Sequence, residues 1–175
     1  MQIKINPQVY IYLVVLLFLI PLKWLIGWTI AVVTHELFHI GAVYFMGGRI
    51  EKISVSINGI RIDSTPLSEG KRLFAILIGP IGGLLPTLLR GCFPILAICC
   101  WVLTVYNLFP FLPLDGGRAL KILLKKEQHF VLMERLFLIT ITALALYGTF
   151  FLKLGILPLL IVGLFWIRNR KFPCK

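Results

Sequence analysis

The stretch IAVVTHELFHIGAVYF, residues 30–45, is apolar enough to sit in lipid yet carries two histidines and a glutamate at its middle. A charge at the centre of a membrane helix costs about 2.5–3.5 kcal/mol on insertion scales, so ionisable groups there mark functional sites by default. The five residues HELFH, 35–39, form the pattern H-E-x-x-H. On a helix, positions i and i+4 share one face a turn apart, so His35 and His39 can reach a single metal ion, and Glu36 beside them can face a water molecule. Zinc lowers the pKa of a bound water to about 7, and a neighbouring carboxylate can take its proton and return it.

Working outward, the whole chain reads as membrane-embedded. Of its 175 residues, 59% are hydrophobic and 14% charged, far from the balance of a water-soluble domain. Runs such as VYIYLVVLLFLIPL (9–22) and ITALALYGTFFLKLGILPLLIVGLFWI (141–167) belong in a bilayer. The length suits a single domain over 1–175. The formal net charge of +11 does not point to nucleic acid, because the basic residues fall in short loops and form no continuous patch. Cys92, Cys99, Cys100 and Cys174 make no C-x-x-C pair and read as small buried hydrophobes. Lys4 followed by an apolar run imitates a secretion signal, but Pro21, Leu22, Lys23 and Trp24 stand where small residues would mark cleavage, so the run is read as retained.

The expected architecture is all-α and polytopic, with about six spans at 9–22, 24–46, 73–89, 93–111, 136–151 and 154–167. The first and last are short for a hydrocarbon core of roughly 30 Å. Six spans place fifteen Lys and Arg on one side and three, Lys23, Arg90 and Lys153, on the other. The positive-inside rule then puts both termini in the cytosol, along with the 47–72 and 112–135 segments. RIEKISVSINGIRIDS (49–64) alternates with period two around Asn58-Gly59, which predicts a β-hairpin with a type I′ turn at the cytosolic membrane face. An exposed strand edge of this ribbon can accept an extended peptide, or the ribbon can simply seal the cytosolic mouth. GGRALKILLKKEQ (116–128) reads as an amphipathic surface helix, and His129 as a surface loop residue. In GPIGG (79–83), Gly79, Gly82 and Gly83 permit close approach of the second and third spans.

Catalytic zinc usually takes three protein ligands and keeps one open position. Among the acidic residues outside HELFH, only Asp115 is embedded in apolar sequence, in YNLFPFLPLDGGRAL (106–120). Pro110 and Pro113 interrupt helical hydrogen bonding, and Gly116-Gly117 permits an unusual backbone, so this segment can fold back toward the histidines. Equally, Asp115 can merely cap the helix that follows.

H-E-x-x-H in one span and an Asn…Pro-Leu-Asp-Gly segment in a later one resemble the site-2 protease family of intramembrane zinc metalloproteases. HELFH, GPIGG and NLFPFLPLDGGR (107–118) carry the likeness, and the last looks most like the sporulation-protein FB branch with its six-span layout. The resemblance implies zinc as cofactor, His35, His39 and Asp115 as its ligands, Glu36 as the catalytic base and Asn107 as a contact to the substrate backbone or the developing oxyanion. It further implies hydrolysis of a peptide bond in or near a transmembrane segment of a membrane-protein substrate. A regulatory membrane protein is a further implied partner, and the bacterial cell membrane the implied setting. Two departures stand out. Phe38 occupies a place where the family often has glycine, and the chain has no room for the family's CBS or PDZ domain. Two alternatives account for buried His and Asp differently. A metal-ion carrier explains Asp115 but gives no reason for a glutamate directly beside His35, and a non-cleaving binder of membrane proteins needs no complete set of ligands and base.

Overall fold

The structure, a computed structural model, describes residues 2–56, 59–153 and 155–171. Asn58, at the tip of the expected hairpin, lies outside the described residues, as does Cys174. The secondary structure is mostly helical, with one small sheet. Contacts divide the chain into two units, Met1–Leu108 and Phe109–Lys175.

In the first unit, strand β1 (Gln2–Ile5) leads into helix α1 (Gln8–Leu19), which has no buried residue. Pro21, at the next helix's N-cap, separates α1 from α2 (Leu22–Phe45). At 1.5 Å per residue, α2 is about 36 Å long, enough for a bilayer core. It ends on Gly47, whose φ of +83° is the left-handed conformation that glycine adopts without steric cost. The Gly47 N–H donates to the Tyr44 carbonyl and the Gly48 N–H to the Val43 carbonyl, each at 2.9 Å, closing the helix with a Schellman motif.

Strands β2 (Ile50–Ser56) and β3 (Gly59–Ser64) follow and pair antiparallel, as the alternation requires. The sheet is larger than the expected hairpin, because β1 adds to β2 in parallel and the strand order is β1-β2-β3. Ile53 and Ile62 pack with Ala42 and Val43 of α2 and Ala75 of the next helix, so the sheet's apolar face is covered by helices.

Helix α3 (Glu69–Gly83) runs on through a 3-10 turn at Leu85–Leu89, and α4 (Pro94–Asn107) closes the unit. Helix α4 is about 21 Å long, well short of the expected 93–111 span. It meets α2 through Ala31, Cys99 and Cys100, which form a buried cluster, as expected of cysteines acting as small hydrophobes, whereas Cys92 is exposed, contrary to that expectation.

In the second unit, a turn through Phe109–Leu114 leads into α5 (Asp115–Leu124), α6 (Glu127–Phe150) and α7 (Leu157–Lys171). Helix α6 begins nine residues before the expected start at 136, because Glu127, His129, Glu134 and Arg135 hide its first turns from a hydropathy reading. His129 is thus helical and exposed. Phe111, Leu114 and Leu138 form the core of this unit, with Phe109, Phe137 and Phe165 around them. The Trp166 indole donates to Thr142 Oγ1 at 3.1 Å, tying α7 to α6.

Among the described residues, three helical stretches, Leu22–Phe45, Glu69–Leu89 and Glu127–Phe150, are long and apolar enough to cross a membrane, and three shorter apolar helices accompany them. Side chains such as Phe18 (88% exposed) and Leu88 (80% exposed) leave broad apolar surfaces that water would not tolerate. The chain is a membrane protein.

Candidate metal centre

HELFH lies well inside α2, where the chain is too apolar to leave its polar groups to water. His35 is 3% exposed, His39 is partly buried and Glu36 half-buried beside them. One helical turn apart, the imidazoles meet edge to face, with ring centroids 4.7 Å apart. Their Nε2 atoms are 3.1 Å apart.

The His39 orientation is fixed from the neighbouring helix. Its Nδ1 lies 2.8 Å from the Ala75 carbonyl oxygen of α3. A carbonyl only accepts, so Nδ1 carries the proton, and the Nε2 lone pair is left toward His35. Two nitrogens at about 2.0–2.1 Å from a tetrahedral zinc stand roughly 3.3 Å apart. The pair therefore fits one such ion with a shift of only a few tenths of an ångström, and the Nδ1–carbonyl bond is the outer support that metal-binding histidines usually have.

GPIGG makes this geometry sterically available. A Cβ on Gly79 would lie 2.1 Å from His39 Nε2, and one on Gly82 would lie 2.0 Å from the Phe38 ring. At Gly83 the nearest atoms would be His35 Nδ1 and Thr104 Oγ1, both at 3.3 Å. The three glycines thus face three successive features of HELFH, and the expected close approach of the second and third spans is observed. Thr104, buried on α4, donates to the Pro80 carbonyl at 3.3 Å and holds α4 to the same stretch of α3. Sequence reading passed over Thr104, and nothing in its local pattern distinguishes it from other membrane threonines.

The bulk of Phe38 is matched by the missing side chain at Gly82. Gly82→Ala and Phe38→Ala should therefore be strongly non-additive, with a coupling energy of about 1–3 kcal/mol in reversible unfolding in detergent. Simple additivity of the two penalties would show that the ring is free to move aside.

The second unit holds Asp115, 6% exposed, as the first residue of α5. The N-cap position belongs to Leu114, so Asp115 stands at the first helical residue, one position inside the cap. Arg118 Nη1 lies 3.8 Å from its Oδ1. Gly116 and Gly117 are helical, contrary to the expectation of unusual backbone there. Gly117 is instead required by proximity, since a Cβ there would lie 2.3 Å from the Phe111 carbonyl carbon. The Leu112–Pro113 peptide is cis.

Asn107 is the last residue of α4, and its Nδ2 donates to the Leu103 carbonyl at 3.1 Å, leaving a second N–H on the amide. Glu134, 8% exposed on α6, is a second embedded acid that sequence reading missed. Arg135 beside it, with Glu127 and His129 before it, makes the stretch look solvated despite the apolar flanks Leu132, Met133, Leu136 and Phe137.

No family model matches the sequence, and no curated protein matches it. Among solved structures, the fold is similar to that of a Site-2 Protease from Methanocaldococcus jannaschii. The TM-score is 0.62 at 23% identity, over 91% of this chain and 85% of that one. At that identity the likeness is one of fold.

Proposed function

We propose that this chain is an intramembrane zinc metalloprotease that hydrolyses a peptide bond in or next to a transmembrane segment of another membrane protein. The observation that carries this reading is the convergence of His35 and His39 Nε2 at 3.1 Å inside an apolar helix, with a glutamate directly after the first histidine. The likeness in fold to a site-2 protease supports it.

In this reading His35, His39 and Asp115 hold zinc, and residues 1–175 act as one catalytic core nearest the sporulation-protein FB branch. When bound, zinc supplies Lewis acidity, making a water molecule easier to deprotonate and a carbonyl more electrophilic. Glu36 accepts the proton of the attacking water and delivers it to the leaving amine nitrogen, so the carboxylate is regenerated in each cycle. Asn107 has an amide N–H to offer the substrate backbone. Apolar surroundings exclude bulk water and strengthen each of these interactions. The charge asymmetry of the loops puts both termini in the cytosol in a multi-pass arrangement.

The test is cleavage of a membrane-protein substrate in liposomes before and after chelation, with metal flux measured in parallel. Cleavage that stops with chelator and returns with zinc, without flux, is the expected result. Flux without cleavage would make the protein a carrier, and neither would make it a binder.

A further inference from the structure

Helices α2 and α3 leave between them an open trough of about 370 Å³ that the chemistry above does not use. Leu37, Phe38, Gly41 and Phe45 line it from α2, and Phe74 and Ile78 from α3, so its wall is apolar. Gly41 makes the space. The three glycines of GPIGG are each met by a neighbouring side chain, but a Cβ on Gly41 would meet nothing within 4 Å. This glycine opens room without admitting another helix.

The trough has one charged end. Phe74 and Ile78 share a stripe of α3, and Lys71, three and seven residues before them, continues that stripe into the first turn. The exposed Lys71 ammonium donates to the Met46 carbonyl at 3.0 Å, which holds it just beyond Phe45. An ammonium has three N–H donors, so two remain for an anion. Glu69, the acidic residue of the same turn, stands about 160° around the helix from Lys71.

We propose that this trough is a binding site for an anionic phospholipid, with one acyl chain lying along Gly41 and the phosphate on the Lys71 ammonium. Packing against the trough holds the chain, and the lysine selects the headgroup. Two other occupants fit less well. Gly41 and Phe45 lie about 140° and 180° around α2 from Glu36, so a peptide seated here would be on the wrong side for that base. A second copy inserted the same way up would bring its own Lys71 to the same depth, where like charges repel. The site requires only that the chain lie in a membrane, and it stands apart from the protease reading.

The experiment is native mass spectrometry of the purified protein titrated with phosphatidylglycerol or phosphatidylcholine of identical chains. The wild type is compared with Lys71→Gln, Arg72→Gln and Gly41→Leu. Glutamine at 71 keeps a donor for the Met46 carbonyl and removes the charge. Arg72→Gln removes the same charge about 100° around the helix from Lys71, off the stripe. The expected result is one phosphatidylglycerol bound about fivefold more tightly than phosphatidylcholine, the effect of one lysine near a membrane surface. That preference should vanish in Lys71→Gln and persist in Arg72→Gln, while Gly41→Leu weakens both lipids severalfold. Equal loss of preference in Lys71→Gln and Arg72→Gln would overturn the site in favour of diffuse surface charge. Unchanged lipid binding in Gly41→Leu would overturn it too: a dimer mass lost in that variant would make the trough an interface between copies, and cleavage lost in phosphatidylcholine liposomes would make it a seat for substrate. Should Gly41→Leu not fold, Gly41→Ala, whose Cβ meets nothing, takes its place with the same readings.

Discussion

Glu36→Gln is expected to lower the rate of substrate cleavage by about 10²–10⁴-fold while leaving the bound zinc unchanged. The substitution keeps the size and polarity of the side chain and removes only its basicity. Glu36 follows His35 by one position on α2, about 100° around the helix, whereas His39 shares the His35 face. An amide at position 36 therefore leaves the two Nε2 atoms where they are, with His39 still held by the Ala75 carbonyl. The measurements are turnover of a membrane substrate in liposomes and zinc content by elemental analysis on the same preparation. Loss of both zinc and turnover would make Glu36 a ligand. Undiminished turnover would place the base elsewhere. A carrier would go on moving metal with glutamine at 36, so this single variant also separates the classes.

How much of this was legible in sequence differs from element to element, for physical reasons. The HELFH helix was legible because its polar residues contradict their surroundings, and its end at Phe45 falls one residue from the expected 46. The β2–β3 pair was legible from its period of two, which needs only local information. Strand β1 was not: its four residues pair in parallel with a partner some fifty positions later, and nothing local announces that register. The early turns of α6 were hidden by charge, and Glu134 with them, since an acid among acids and bases looks solvated until burial is known. Gly116-Gly117 shows the opposite error. Glycine signals either backbone freedom or close approach, and only the Phe111 carbonyl against Gly117 decides between them. At GPIGG the same ambiguity was resolved in advance by composition, because small residues in a span favour helix contact.

The cost of burying HELFH gives those contacts their importance. Polar groups in an apolar helix must be oriented by partners, and His39 has one on the neighbouring helix. That partner is the Ala75 carbonyl, and the space for the ring is the missing side chain of Gly79, one turn further along α3. The helix therefore controls the imidazole twice, by a hydrogen bond at one edge and by a vacant Cβ position at the other.

Gly79→Ala should consequently abolish metal binding more completely than any other single methyl group added to α3. The new Cβ would fall 2.1 Å from His39 Nε2, 2.2 Å from Cε1 and 2.7 Å from Cδ2, all far inside contact distance. An imidazole can yield by rotating about χ1 and χ2, whereas the helix backbone is held along its length by Gly82, Gly83 and Thr104. The ring is therefore the part that moves, and moving it breaks the bond to Ala75 and turns Nε2 away from His35. Alanine is otherwise a good helix residue, better than glycine by about 1 kcal/mol in water, so α3 itself should not suffer. The expected outcome is a protein of near-normal thermal stability in detergent whose zinc affinity falls by at least about 100-fold and whose cleavage activity falls with it. Gly83→Ala is the internal comparison: its Cβ would meet His35 Nδ1 and Thr104 Oγ1 at 3.3 Å, a crowding of tenths of an ångström, and should cost far less affinity. Equal losses at the two positions, or unfolding of Gly79→Ala, would mean that the ring is not what gives way, and that the glycines serve helix packing alone.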